Sequence, residues 1–161
     1  MTRWLSADEQ RAWRAYVRST KVLFDALDRQ LQRDADMPHA YYEILVALSE
    51  TEGRALRMSE LAERTLSSRS RLSHAVARLE ERGWVAREEC PTDRRGQLAR
   101  LTDRGFATLA AAAPGHVGAV RDHLIDVLTA EQLEQLATIS NAVTARITGF
   151  GAAGSNGQNR Q

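Results

Sequence analysis

Apolar residues in this chain recur three and four positions apart over most of its length, the spacing of helices with one buried face. Trp13, Val17, Thr20, Phe24, Leu27 and Leu31 form a near-heptad seam. The capping box Ser6-Ala7-Asp8-Glu9 opens that helix, which is predicted to run to about Arg33. Asp36-Met37-Pro38 closes it and starts a second helix, with Pro38 in the first turn and Tyr41, Ile44, Leu45 and Leu48 as its stripe. The turn Glu50-Thr51-Glu52-Gly53 leads to a short strand around Leu56. A short helix follows with Ser59 as its cap, then the hydroxyl-bearing turn Thr65-Leu66-Ser67-Ser68. The next helix carries Leu72, Val76 and Leu79, and Gly83 sits where a left-handed stop wants glycine.

Trp84-Val85-Ala86-Arg87 and Leu98-Ala99-Arg100-Leu101 read as two strands around a loop holding Pro91, Asp93, Arg94, Arg95 and Gly96. Thr102 caps a long helix with Phe106, Leu109, Ala113, Val117, Val120, Leu124 and Leu128 on one face, and Pro114-Gly115 predicts a kink or short break in it. Thr129-Ala130-Glu131-Gln132 is a second capping box, opening a last helix with Leu133, Leu136, Val143 and Ile147. From Gly149 onward the chain is rich in glycine and amides and is predicted to be disordered.

The middle of this pattern is helix, turn, helix and a basic β-ribbon, parts that dock on duplex DNA. Opposite Leu72, Val76 and Leu79, the second helix of the pair presents Ser70, Ser73, His74 and Ala77, flanked by Arg71 and Arg78. A small, polar and basic face lets a helix sit deep in the major groove. Ser59, Ser67 and Ser68 fall at helix N-termini, where hydroxyls and free N–H groups hold phosphate, and Arg69 is placed as a phosphate contact. Arg94 and Arg95 at the hairpin tip can reach the narrow minor groove, with Asp93 placed to aim Arg95.

Composition sharpens this picture in a few places. The 161 residues suit one domain, and 43% apolar with 6% aromatic residues suits helices packed through Leu, Ala and Val. The net charge of +1 is unevenly placed: Arg54 to Arg100 holds eleven arginines against seven acidic residues, and the remainder is net negative. No stretch has the apolar length of a membrane span, and MTRWLSADEQ is not a signal peptide, so a cytoplasmic location without membrane contact is expected. Cys90 alone permits no intrachain disulfide. There is no nucleophile–base motif, no phosphate-cradling glycine loop and no HExxH, so an enzyme is not expected, nor a cofactor. His116 and His123 stand about two helical turns apart, too far to chelate one ion, and no metal site is expected.

The run RLEERGWVARE, the DRR that follows it and then LTDRG resemble the winged helix-turn-helix regulators of the MarR family, and the likeness extends from the first helix to about Ile147. The fold expected is mainly α with a small β-hairpin wing. The resemblance implies a homodimer built from the N- and C-terminal helices. It divides the chain into a single domain at 1–148, with dimerisation helices at 6–36 and 102–148, a DNA-binding lobe at 37–101 and a tail at 149–161. It assigns Asp93 and Arg95 to the wing, Arg95 as the minor-groove arginine, and Ser70, Arg71 and His74 to the recognition helix. It also implies a repressor on a palindromic operator, released by a small, often aromatic ligand. Trp13, Tyr16, His39, Tyr41 and Tyr42 are the candidate residues for that ligand.

Four alternatives stand beside these readings. The Trp13–Leu31 seam fits intrachain core as well as a dimer surface, and His39, Tyr41 and Tyr42 fit buried packing as well as a pocket. Cys90 at the wing base fits a packing residue or a redox sensor. A helical protein-interaction module is the remaining functional rival.

Overall fold

A computed structural model describes residues 1–90 and 93–148, the side chains of 93–95 excepted. The predicted tail from Gly149 and the loop residues Pro91 and Thr92 lie outside the described residues. The chain forms two compact units, Met1–Ala119 and a second beginning at Val120.

In the first unit α1 spans Ala7–Ala35, and its capping box forms as predicted: Ser6 Oγ accepts from the Glu9 N–H, while Glu9 accepts from the Ser6 N–H at 2.7 Å. Asp36 ends α1 in the left-handed conformation. Helix α2, His39–Ser49, begins one residue later than the sequence suggests, so Pro38 is the cap rather than part of the first turn. Its missing N–H costs nothing at either position. The His39 N–H is satisfied instead by Asp28 Oδ1 on α1, at 2.8 Å.

Strand β1 (Ala55–Arg57) passes directly into α3 (Met58–Arg64). Because the strand holds Arg57 extended, Arg57 takes the cap position and Ser59 falls inside the first turn, so Ser59 is not the cap. Glu60 reaches back to the Arg57 N–H at 3.3 Å. Leu66 crosses the following turn at φ 49°, and Ser68 caps α4 (Arg69–Glu81) by accepting from the Arg71 N–H. The stop after α4 is the predicted one: Gly83 has φ 71° and donates to the Glu80 carbonyl, while Trp84 donates to Leu79.

Strands β2 (Val85–Cys90) and β3 (Asp93–Leu101) are longer than the sequence suggests. With β1 they form an antiparallel sheet of order β1-β3-β2, which carries an irregularity between Glu89 and Cys90. One core joins these pieces. Leu72, Val76 and Leu79 of α4 are buried against Leu45 and Leu48 of α2, Leu61 of α3, and Val85, Ala99 and Leu101 of the sheet. Each buried aliphatic side chain contributes about 1.5–3 kcal/mol.

Helix α5 (Asp103–Val120) is capped by Thr102, whose hydroxyl accepts from the Gly105 N–H at 3.0 Å. The short break that Pro114 could impose does not occur, and the helix runs through it. Pro114 and Ala110, whose carbonyl loses its N–H partner, are both exposed, so water can satisfy that carbonyl. The irregularity comes later, as a π-type turn at Arg121–Ile125 in the second unit. There the second capping box forms between Thr129 and Gln132, opening α6 (Ala130–Thr148). No helix among the described residues is long and apolar enough to cross a membrane.

The heptad seam of α1 divides. Leu27 and Leu31 are intrachain core, whereas Trp13 is 58% and Phe24 48% exposed. On α6, Ile139, Val143 and Ile147 are also exposed.

Candidate nucleic-acid interface

The buried stripe of α4 fixes which face looks outward. With Leu72, Val76 and Leu79 at most 1% exposed, Arg69, Ser70, Arg71, Ser73, His74 and Arg78 all emerge on the surface. Ser68 stands at the N-cap, exposed. Ser67 is half-buried and donates to the Thr65 carbonyl, while Ser59 is exposed in the first turn of α3. The helix–turn–helix therefore leaves Ser59, Ser68, Arg69, Ser70, Arg71, Ser73 and His74 exposed, with Ser67 half-buried in the turn. Asp93, Arg94 and Arg95 begin β3, and their side chains lie outside the description.

Charge alone overstates how many arginines face a partner. Arg54 pairs with Asp103 and lies over the Phe106 ring at 3.8 Å. Arg64 donates to the Ala47 carbonyl and the Thr51 hydroxyl. Arg78 binds Glu81 at 2.8 Å, which raises its pKa further and directs it along the helix. Arg82 donates to the Asp36 carbonyl at 2.6 Å and sits over Trp84. Arg100 bridges Glu88 at 2.7 Å and the Gly53 carbonyl at 2.6 Å, and its hydrogen bond holds the Glu88 carboxyl below the usual carboxylate range. Among the described arginines from 54 to 100, Arg69 and Arg71 have guanidinium groups that touch no acid or acceptor of the chain.

Between α4 and the sheet lies a cleft of about 260 Å³ lined by Met58, Arg69, Leu72, Ser73 and Gln97. Gln97 was not legible as a site residue. It lies four residues beyond the start of β3 and reaches this cleft only because the hairpin folds back along α4.

A second cleft, about 640 Å³, opens beside α2. His39, Tyr42, Glu43, Arg64 and His116 are among its lining residues. Of the candidate ligand residues, His39 and Tyr42 meet there. Tyr41 is half-buried and packs against the core, while Trp13 and Tyr16 are exposed on the N-terminal half of α1 and do not line the cleft. The His116 ring lies 4.3 Å from that of Tyr42 and 5.4 Å from that of His39, and its Nδ1 is 3.2 Å from Gln30 Oε1. Burial first, then His39, push the His116 pKa down, and burial pushes the Tyr42 phenol up. Sequence spacing suggested only that His116 could not share an ion with His123. Its packing against α2 required the fold.

Cys90 is 6% exposed, a setting in which a thiol behaves as a small apolar residue. No cluster of three or more metal-ligating side chains occurs among the described residues.

The MarR family model matches residues 35–96, the whole helix–turn–helix and the start of the returning strand. The fold is similar to that of Sco3205, a MarR family transcriptional regulator from Streptomyces coelicolor solved in complex with DNA. The TM-score is 0.88 and the identity 56%, over 90% of this chain and 91% of that one. AbsC, a MarR family regulator from the same organism, gives a TM-score of 0.88 and 43% identity over 92% of this chain and all of that one. Among curated proteins, the transcriptional regulator HosA of Escherichia coli O111:H- is 34% identical over 79 residues. That match covers 49% of this chain, which spans 57% of the length of that relative.

Proposed function

The chain belongs to the MarR family of transcriptional regulators, and from that premise we propose that it is a repressor. It binds as a homodimer to a palindromic operator, and a small molecule in the cleft beside α2 releases it. The observation that carries this reading is the exposed edge of α4. Arg69 and Arg71 stand there unengaged beside Ser70, Ser73 and His74, at the N-terminal end where the helix dipole favours phosphate.

In this reading α4 enters the major groove. Arg71, Ser70, Ser73 and His74 address base edges, while Arg69, Ser59, Ser67, Ser68 and Arg78 hold the backbone. The wing, with Arg94 and Arg95 and with Asp93 aiming Arg95, addresses the flanking minor groove. Two copies place their α4 helices one helical turn apart, ~34 Å, so half-site spacing follows from the dimer.

The apolar side chains left open support the dimer. Trp13, Tyr16 and Phe24 on α1, and Ile139, Val143 and Ile147 on α6, are large hydrophobic groups left about half exposed or more. The reading divides the chain into dimerisation helices at 6–36 and 102–148 around a lobe at 37–101. The cleft supports ligand release, since His39, Tyr42 and His116 place aromatic surface and ring nitrogens around a space large enough for a small aromatic molecule. A ligand seated there changes the lobe spacing, so that only one state matches the operator.

The test is selection of bound duplexes from a random pool, followed by binding titrations against salt. A palindromic consensus bound by two copies, with a steep negative salt slope, is the expected result. Binding that is absent even at low salt overturns the reading in favour of a protein-interaction module.

A further inference from the structure

Arg87 stands on β2, yet its side chain turns back onto α4. Its Nη2 donates to the Ser73 carbonyl at 2.8 Å, and its backbone N–H donates to Glu80 Oε1 at 3.1 Å. Its Nε lies 3.1 Å from Glu80 Oε2, within ion-pair distance but off the line of a hydrogen bond. Ser73 and Glu80 are seven residues apart, about two turns or ~10 Å along the helix. One strand residue thus grips α4 at two levels. The two charged side chains are 25% and 34% exposed, so solvent screens the pair less than it would on an open surface.

The gripped carbonyl belongs to Ser73, whose side chain rims the cleft between α4 and the wing beside Arg69 and Gln97. The width of that cleft depends on the angle between α4 and the hairpin. Two of the Arg87 contacts are directional hydrogen bonds and the third is an ion pair, so together they oppose rotation of one element on the other more than the apolar core beneath does.

We propose that Arg87, with Glu80, is a positioning pair. It sets the angle between recognition helix and wing so that each half-site's major groove and flanking minor groove are engaged together. The inference rests on the DNA-binding reading above. Two reading elements held at the correct separation gain affinity from each other, because binding of one places the other at its site. With the pair removed, each element still reads its own groove but the mutual gain falls.

The test compares two duplexes carrying the selected half-sites, one with its A·T-rich flank intact and one with that flank replaced by G·C pairs, which alters the minor groove. Binding is measured for the wild type, Arg87→Met, Arg87→Lys and Glu80→Gln, and the thermal midpoint of each is recorded. The wild type prefers the intact flank. Arg87→Met is expected to lose that preference by about tenfold, the loss of charge-assisted contacts, while keeping its discrimination among bases opposite α4. Arg87→Lys restores part of the preference, and Glu80→Gln falls between.

Flank preference retained in Arg87→Met overturns the inference and leaves the DNA-binding reading intact. So does a loss of flank and base discrimination together, in step with the thermal midpoint, because that marks a purely structural pair. A wild type that binds selected duplexes without regard to the flank removes the wing reading that the pair would serve. A wild type that binds no duplex overturns the DNA-binding reading and the inference with it.

Discussion

Gly105 lies so close to the carbonyl oxygen of Trp84 that a Cβ at position 105 would overlap it, and would also approach Leu101 Cδ1 to 2.8 Å. The same carbonyl accepts from the Thr102 N–H at 3.0 Å, so it cannot easily move away. The glycine of the LTDRG run is therefore required by packing, not by a left-handed turn. Gly105→Ala is expected to destabilise the chain by about 1–3 kcal/mol, the range for overpacking in a closed site. Urea unfolding measures it, and a midpoint equal to the wild type's would show that α5 can shift at no cost.

Stability should fall on mild acidification because of His116. Burial and His39 hold its folded pKa below the ordinary 6.5, so as pH falls the unfolded chain takes up that proton first. The contribution is complete above about pH 6.5 and is lost as pH drops from there towards the lowered folded value. His116→Gln keeps an amide beside Gln30 but removes the titration. Unfolding midpoints of the two proteins from about pH 8 to pH 5 should diverge on the acid side. Parallel profiles would place the acid sensitivity elsewhere.

Arginines with different tasks should fail differently on DNA. Arg71→Ala and His74→Ala are each expected to cost about 1–3 kcal/mol at particular base pairs. Arg95→Ala should weaken binding to all selected sequences and reduce the salt slope by about one. Anisotropy titrations over singly substituted duplexes separate the two patterns, and three uniform losses would contradict this division of labour.

Trp13→Asp places a charge where a 58% exposed indole now stands on α1. If a second copy covers that surface, the variant should sediment as a monomer at micromolar concentration where the wild type is a dimer. An unchanged dimer would assign the interface to other residues.

Elements with strong local chemistry were legible in the sequence. The boxes at Ser6 and Thr129, the hydroxyl cap at Thr102 and the stop at Gly83 each satisfy backbone groups within a few residues, so their signals survive without the fold. The stripe of Leu72, Val76 and Leu79 was equally plain, since helical spacing alone decides which face is buried. Ser59 misled because the strand before it decides where α3 begins, and that strand exists only by pairing with β3. Pro114 misled as to a break because sequence spacing does not show whether the carbonyl a proline frees can reach water, and Ala110 and Pro114 are both exposed. The cleft beside α2 and the Arg87 grip on α4 were invisible, as both join residues far apart in sequence: Gln30 with His116, and Ser73 with Arg87.

The ion pairs of the lobe have a consequence for how it meets a duplex from a distance. An arginine closed onto a carboxylate forms a pair whose far field is far weaker than that of a free charge, so Arg54, Arg78, Arg82, Arg87 and Arg100, each beside an acid, add less to it than their number suggests. Arg69 and Arg71 at the start of α4 touch no acid among the described side chains, and they form the one such adjacent pair exposed on the helix. A compact source off-centre in the lobe exerts a torque on approach and turns that end towards the phosphates before any groove is touched. Neutralising a paired arginine together with its carboxylate partner should therefore leave the association rate nearly unchanged, whereas neutralising Arg69 or Arg71 should slow it.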